Sequence, residues 1–117
     1  MILSLALPRV GAQMHEGTIH KLLAAEGAVL RPGTPLLEVR VDLGAAKAQD
    51  CPPLVFFRIL ATERACLRTL TAVVGQVLPV GAALGIATTS ADEPHVGPAT
   101  RPLRTTSMVI QVDPLSR

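Results

Sequence analysis

The feature that most constrains this chain is an internal repeat of a short corner bounded by glycines. Residues 27–33, GAVLRPG, reappear as residues 75–81, GQVLPVG, at an offset of 48 residues. Leu36 and Leu84 follow in the same phase, and the match extends backwards because Ile19 falls on Leu67. Self-similarity at a fixed offset indicates two half-domains of similar build, each a strand, a turn and a strand.

Each copy of the repeat is typical of a structural corner. Glycine adopts backbone conformations that other residues avoid, so Gly33 and Gly81 are predicted at positive φ, where valine would be strained. The apolar pair inside each corner is predicted to fill one core shared by both halves; its members are Val29, Leu30, Val77 and Leu78.

Short strands are the predicted secondary structure. Nine glycines and ten prolines divide the chain into segments that disfavour long helices. Apolar alternation places strands near 2–7, 15–23, 35–41, 54–61, 64–72 and 82–88. With 117 residues, two phenylalanines and no tryptophan or tyrosine, the chain is predicted to be one all-β domain with an aliphatic core, a flattened barrel or sandwich of two pseudo-two-fold-related halves.

The composition changes after Thr88. Residues 89–117 are predicted to be a Pro-rich tail, flexible over 89–104 because Ser, Thr, Asp, Glu, Pro and Gly dominate there. Residues 106–112 could add one edge strand to the β domain of residues 1–88.

Charge and hydropathy exclude several classes of partner. The eleven Lys and Arg residues are scattered singly and give a net charge of +2, so nucleic acid is not expected as a partner. The apolar start, residues 1–7, lacks a basic region and stops at Pro8, and no apolar run reaches membrane-spanning length. We therefore expect no membrane association and a cytoplasmic location.

The first 42 residues resemble the biotinyl/lipoyl attachment domain, most closely the lipoyl domain of acyltransferase components of 2-oxo acid dehydrogenase complexes. The resemblance rests on these residues: Leu7-Pro8, Gly11, Met14, Glu16-Gly17-Thr18-Ile19, Glu26-Gly27, Val29, Gly33, Leu36, Glu38-Val39 and Asp42. It implies a barrel-sandwich hybrid whose tight hairpin presents a lysine that takes lipoate or biotin through an amide bond.

The sequence departs from that family at the modified lysine. Asp42 is followed by Leu43, and alignment backwards from the second corner puts the lysine position at Leu54. The tight hairpin is therefore predicted to be enlarged into a loop at residues 43–53. Lys47 in this loop is the one candidate for cofactor attachment, because the other lysine, Lys21, lies in a predicted strand.

Other residues near the loop are candidates for a binding surface. Cys51 shares the loop, but no activating group is evident beside it. Phe56 and Phe57 are adjacent in a predicted strand, so one ring should enter the core and the other should face outwards. An outward ring beside Asp42, Leu43 and the loop would attract a protein partner or a second copy of the domain.

No catalytic constellation or metal site is apparent in the sequence. Hydrolase and phosphate-binding signatures are absent, and the three histidines do not have the spacing of a joint metal site. The predicted function is that of a non-enzymatic, non-covalent binding or regulatory module of a multienzyme complex, without a cofactor; the alternative is a carrier of lipoate or biotin on Lys47. A homo-oligomer remains open.

Overall fold

Ten strands and no helix make up the described part of the chain. The computed structural model describes residues 1–9, 14–42, 54–94 and 97–113. The strands are β1 (Ile2–Ala6), β2 (Glu16–Leu22), β3 (Val29–Leu30), β4 (Pro35–Asp42), β5 (Leu54–Ala61), β6 (Ala65–Leu70), β7 (Val77–Pro79), β8 (Ala83–Thr88), β9 (Arg101–Pro102) and β10 (Thr105–Asp113). The all-β prediction is confirmed, and each of the six predicted strands agrees with an observed one to within two residues at either end. No described helix could cross a membrane.

The strands form two five-stranded sheets whose order follows the sequence repeat. Sheet A has the order β3-β6-β8-β1-β9, and sheet B has the order β10-β5-β4-β2-β7. Each strand of the first half, β1 to β4, has a counterpart in the second half, β5 to β8, in the same order. When every strand is replaced by its counterpart, the order β3-β6-β8-β1 of sheet A becomes β7-β2-β4-β5. This is the order of sheet B read in the opposite direction, without β10. The similarity of the two halves in sequence is therefore also a similarity in topology.

The first glycine of each corner has the same conformation, and its N–H donates to an equivalent residue of the opposite half. Gly27 and Gly75 have φ values of 90° and 91°. The Gly27 N–H donates to the Leu67 carbonyl at 2.7 Å, and the Gly75 N–H donates to the Ile19 carbonyl at 2.7 Å. Both corners are thus fastened to the strand that is equivalent in the opposite half.

The closing glycines behave in the same way. Gly33 and Gly81 have φ values of 93° and 91°, which confirms the predicted positive φ at both positions. Their N–H groups donate to the Ala61 and Leu7 carbonyls at 2.7 Å and 2.9 Å. Each corner therefore ties its half to a strand end of the other.

The core lies between the sheets and is aliphatic apart from Phe57. Leu30 is fully buried, and Leu78 packs against the core as predicted. The same prediction is wrong for Val29 and Val77, which are 48% and 54% exposed. Successive side chains of a strand point to opposite faces, so only one residue of each apolar pair can face the core.

The last two strands extend both sheets beyond residue 88. β9 pairs in parallel with β1, and β10 pairs antiparallel with β5. The predicted strand at 106–112 lies inside β10. Leu103, between the two strands, is 5% exposed, so this part of the predicted tail contributes to the core. The mobility of residues 89–104 stays a prediction.

Candidate functional site

The hairpin formed by β4 and β5 leads to the segment that the sequence singled out. These strands are antiparallel neighbours, paired from Pro35 with Leu60 to Asp42 with Leu54. Pairing therefore continues up to both ends of the connecting residues 43–53. The predicted site residues Leu43, Lys47 and Cys51 belong to that connection and lie outside the described residues.

The two phenylalanines divide as predicted. Phe57 is 7% exposed and belongs to the core between the sheets. Phe56 is half-buried on the opposite, outer face of sheet B, as strand alternation requires. The hairpin thus presents one aromatic ring on its outer face, two positions from its paired end at Leu54.

His20 is a contributor to this surface that sequence reasoning missed. The pairing of β2 with β4 shifts register between Ile19 and Lys21, so His20 is an additional residue at an irregularity of the ladder. Its ring lies 4.8 Å from the Phe56 ring, centroid to centroid, at an interplanar angle of 64°. This is an edge-to-face contact, the arrangement that aromatic rings prefer. No sequence signal marks the irregularity.

Arg40 completes the surface. In the strand ladder Arg40 lies directly between Thr18 on β2 and Phe56 on β5. Arg40 and His20 are exposed, whereas Phe56 is half-buried. We call His20, Arg40 and Phe56 the hairpin patch. It combines an apolar ring, an imidazole and a guanidinium, which suits contact with a partner that offers apolar and acidic groups.

An ion pair adjoins the hairpin patch. Glu38, 5% exposed, accepts hydrogen bonds from Arg58 Nη2 at 2.9 Å and Arg58 Nε at 3.2 Å. The two residues are direct cross-strand neighbours on β4 and β5. Both nitrogens donate to the same carboxylate oxygen, Oε2, so the contact joins the two hairpin strands beside the patch.

The other residues with reactive side chains do not join the patch. Cys66 is half-buried on β6, in sheet A. Glu26 accepts a hydrogen bond from the Leu70 N–H at 2.9 Å and so has a structural role. Within the described ranges no group of three His, Cys, Asp or Glu residues could hold a metal ion.

Comparison with known proteins gives one informative relative. The chain is 34% identical over 85 residues to the dihydrolipoyllysine-residue acetyltransferase component of the acetoin cleaving system of Cupriavidus necator. The match covers 73% of this chain and 20% of that protein, so the chain spans about one fifth of the relative's length. No protein-family model and no solved structure matches the chain. The similarity supports a lipoyl-domain-like relationship.

Proposed function

We propose that this chain is a lipoyl-like domain that binds a protein partner without carrying a covalent cofactor. One observation carries the proposal: the β4–β5 hairpin, where the lipoyl family presents its lysine, stays paired to Asp42 and Leu54 but continues with Leu43 and a connection of eleven residues, 43–53. Strands β4 and β5, which present the lysine in the lipoyl family, are both formed in this chain. Leu43 stands where the family has the lysine that is modified.

The finer fold within this proposal is the barrel-sandwich hybrid. Its support is the exchange symmetry of the strand orders of sheets A and B, together with the matching hydrogen bonds of the two glycine corners. The similarity to a dihydrolipoyllysine acetyltransferase component points in the same direction.

The proposed partner is a component of a 2-oxo acid dehydrogenase-type complex in the cytoplasm, and the proposed role is regulatory or scaffolding, without catalysis. The relative's name makes it a component of a multi-protein system. The hairpin patch offers the contact surface, because a half-buried ring beside an exposed guanidinium can take an apolar and an acidic side chain of a partner.

A second candidate function rests on Lys47. It lies in the connection between the hairpin strands, whereas the other lysine, Lys21, is on β2. In this alternative the Nζ of Lys47 forms an amide with the carboxyl group of lipoate or biotin. A modifying ligase would have to bind a lysine four residues beyond the position that the family uses, outside a two-residue turn.

Intact-mass measurement separates the two functions. The chain is co-expressed with lipoate and biotin ligases, and an unmodified mass is expected. A matched control replaces residues 43–53 with a two-residue turn containing lysine, and this variant is expected to gain the lipoyl or biotinyl increment. An increment on the wild-type chain that Lys47→Arg abolishes would establish the carrier function instead.

Binding is tested separately by calorimetry. The purified chain is titrated into the purified acyltransferase component of a 2-oxo acid dehydrogenase complex from the same host. Phe56→Ala is expected to weaken binding about fivefold or more while leaving the fold intact, because its ring lies on the outer face. Absence of binding by the wild-type chain would overturn the proposed partner.

A further inference from the structure

The four outer edges of the two sheets differ greatly in length and composition. β3 and β9 have two residues each and β7 has three, and both β9 and β7 contain proline. β10 has nine residues, TTSMVIQVD, without proline and with a single charged residue, at its end. Proteins usually shorten, charge or interrupt edge strands to prevent pairing with other chains. β10 has none of these protections over residues 105–109.

The hydrogen bonds of β10 show which backbone groups its neighbour uses. The Thr62 N–H donates to the Arg104 carbonyl at 3.0 Å, immediately before β10 begins. In an antiparallel ladder, hydrogen-bonded and non-hydrogen-bonded pairs alternate. With the register of β10 on β5, Thr106 and Met108 therefore hydrogen-bond to β5.

The intervening residues direct their backbone groups away from β5. These residues are Thr105, Ser107 and Val109, and within the described ranges no strand lies on that side of β10. The register shifts between Val109 and Gln111, so residues 105–109 are the regular part of the strand. Three residues thus offer unpaired N–H and C=O groups at the spacing of a strand.

We propose that β10 pairs with β10 of a second copy of this chain, antiparallel, about a two-fold axis at Ser107. In this register Ser107 lies opposite Ser107 of the second copy, and Thr105 lies opposite its Val109. About six backbone hydrogen bonds would form, all from groups that β5 leaves unused. The two B sheets would join into one sheet of ten strands.

Charge and exposure favour a second copy in this orientation. The regular part of β10 is uncharged, so self-pairing opposes no like charges. Antiparallel pairing about Ser107 places Arg104 opposite Ile110 of the second copy, whereas in-register parallel pairing would place the two Arg104 side chains next to each other. Met108 and Val109 are 46% and 52% exposed, and a neighbouring strand would cover part of both side chains.

Sedimentation velocity over a range of protein concentrations tests the interface. A concentration-dependent monomer–dimer equilibrium is expected for the full chain. Ser107→Pro is expected to give a monomer, because it removes an N–H that faces the free edge and none that bonds to β5. Ser107→Ala keeps that N–H and is expected to dimerise like wild type. Circular dichroism checks that both variants are folded.

A charge swap tests the register and the identity of the occupant. Ser107→Lys and Ser107→Asp should each be monomeric, since like charges would face each other across the axis. An equimolar mixture of the two should recover the dimer. A wild-type chain that is monomeric at about 100 µM, a dimer unaffected by Ser107→Pro, or a mixture that does not recover would each overturn the proposal.

Discussion

Gly81 and Gly85 lie four residues apart and are glycines for different physical reasons. Gly81 has φ of 91°, and a Cβ atom added there would meet nothing within 4 Å. At Gly85 an added Cβ would collide with the Thr69 carbonyl oxygen on the neighbouring strand β6. Gly81 is needed because its backbone conformation is one that other residues rarely adopt. Gly85 is needed because β6 and β8 lie too close together there for a side chain.

This difference predicts unequal costs of substitution. Gly81→Ala is expected to lower the free energy of unfolding by about 1–2 kcal/mol through backbone strain. Gly81→Val is expected to lower it by more, because valine is β-branched. Gly85→Ala is expected to cost over about 3 kcal/mol, since β6 and β8 must separate. Urea unfolding measures all three, and equal costs at the two positions would contradict the assignment.

At the scale of elements, one carboxylate fastens the last two strands to the rest of the fold. Glu63, in the turn between β5 and β6, accepts hydrogen bonds from Arg101 Nη1 at 2.7 Å and Arg101 Nη2 at 2.6 Å. It also accepts one from the Arg104 backbone N–H at 2.7 Å. Arg101 belongs to β9 and Arg104 directly precedes β10, so Glu63 holds the crossing from sheet A to sheet B.

These contacts make the stability dependent on pH. The hydrogen bond from Arg101, helped by the Arg104 N–H, lowers the pKa of Glu63 from 4.5 to about 2. Between these values the unfolded chain binds more protons, so the stabilisation is complete above the unfolded pKa and is lost as the pH falls towards the folded one. The difference in Tm between wild type and Glu63→Gln is therefore expected to shrink as the pH is lowered from 6 to about 2.

Glu16→Gln, which removes an exposed carboxylate from β2, is the matched control for that titration. The Tm of Glu16→Gln, plotted against pH, should run nearly parallel to the Tm of wild type. A Glu63→Gln difference that stays constant over the same pH range would show that the Arg101 contact does not depend on the charge of Glu63.

At the scale of the whole molecule, the core belongs almost entirely to residues 1–88. Among the described residues, Leu103 is the one buried hydrophobic side chain that follows Thr88. Strands β1 to β8 complete both halves of the repeat, and β9 and β10 lie outside them in each sheet. A chain of residues 1–88 is therefore expected to fold, as the predicted domain boundary requires.

That shorter chain should be less stable than the full one by about 2–5 kcal/mol, largely through the loss of buried Leu103. Urea unfolding followed by circular dichroism measures the difference. Limited proteolysis of the full chain is expected to cut first within 43–53 or 89–104. An unfolded 1–88 chain would show that the last strands are required for the fold.

Much of this architecture was determined by the sequence itself. Alternation between turns placed six of the seven strands that have five or more residues, because the period of side-chain direction in a strand is fixed by backbone geometry. The repeated glycines placed the corners, since few other residues tolerate φ near 90°. The adjacency of Phe56 and Phe57 sufficed to send one ring inwards and the other outwards. These features depend on local geometry, which a sequence pattern records directly.

Tertiary structure decided what depends on distant partners. Val29 and Val77 look like core residues, yet each lies on the outer face of a short edge strand. The His20 ring contacts the Phe56 ring because the pairing of β2 with β4 is irregular at His20. Glu63 accepts a hydrogen bond from Arg101, which lies 38 residues later in the chain. The sequence predicts an edge strand at 106–112, but its pairing with β5 in sheet B was decided only when the sheets were assembled. Such contacts are set by which strands become neighbours, and no local pattern of residues contains that information.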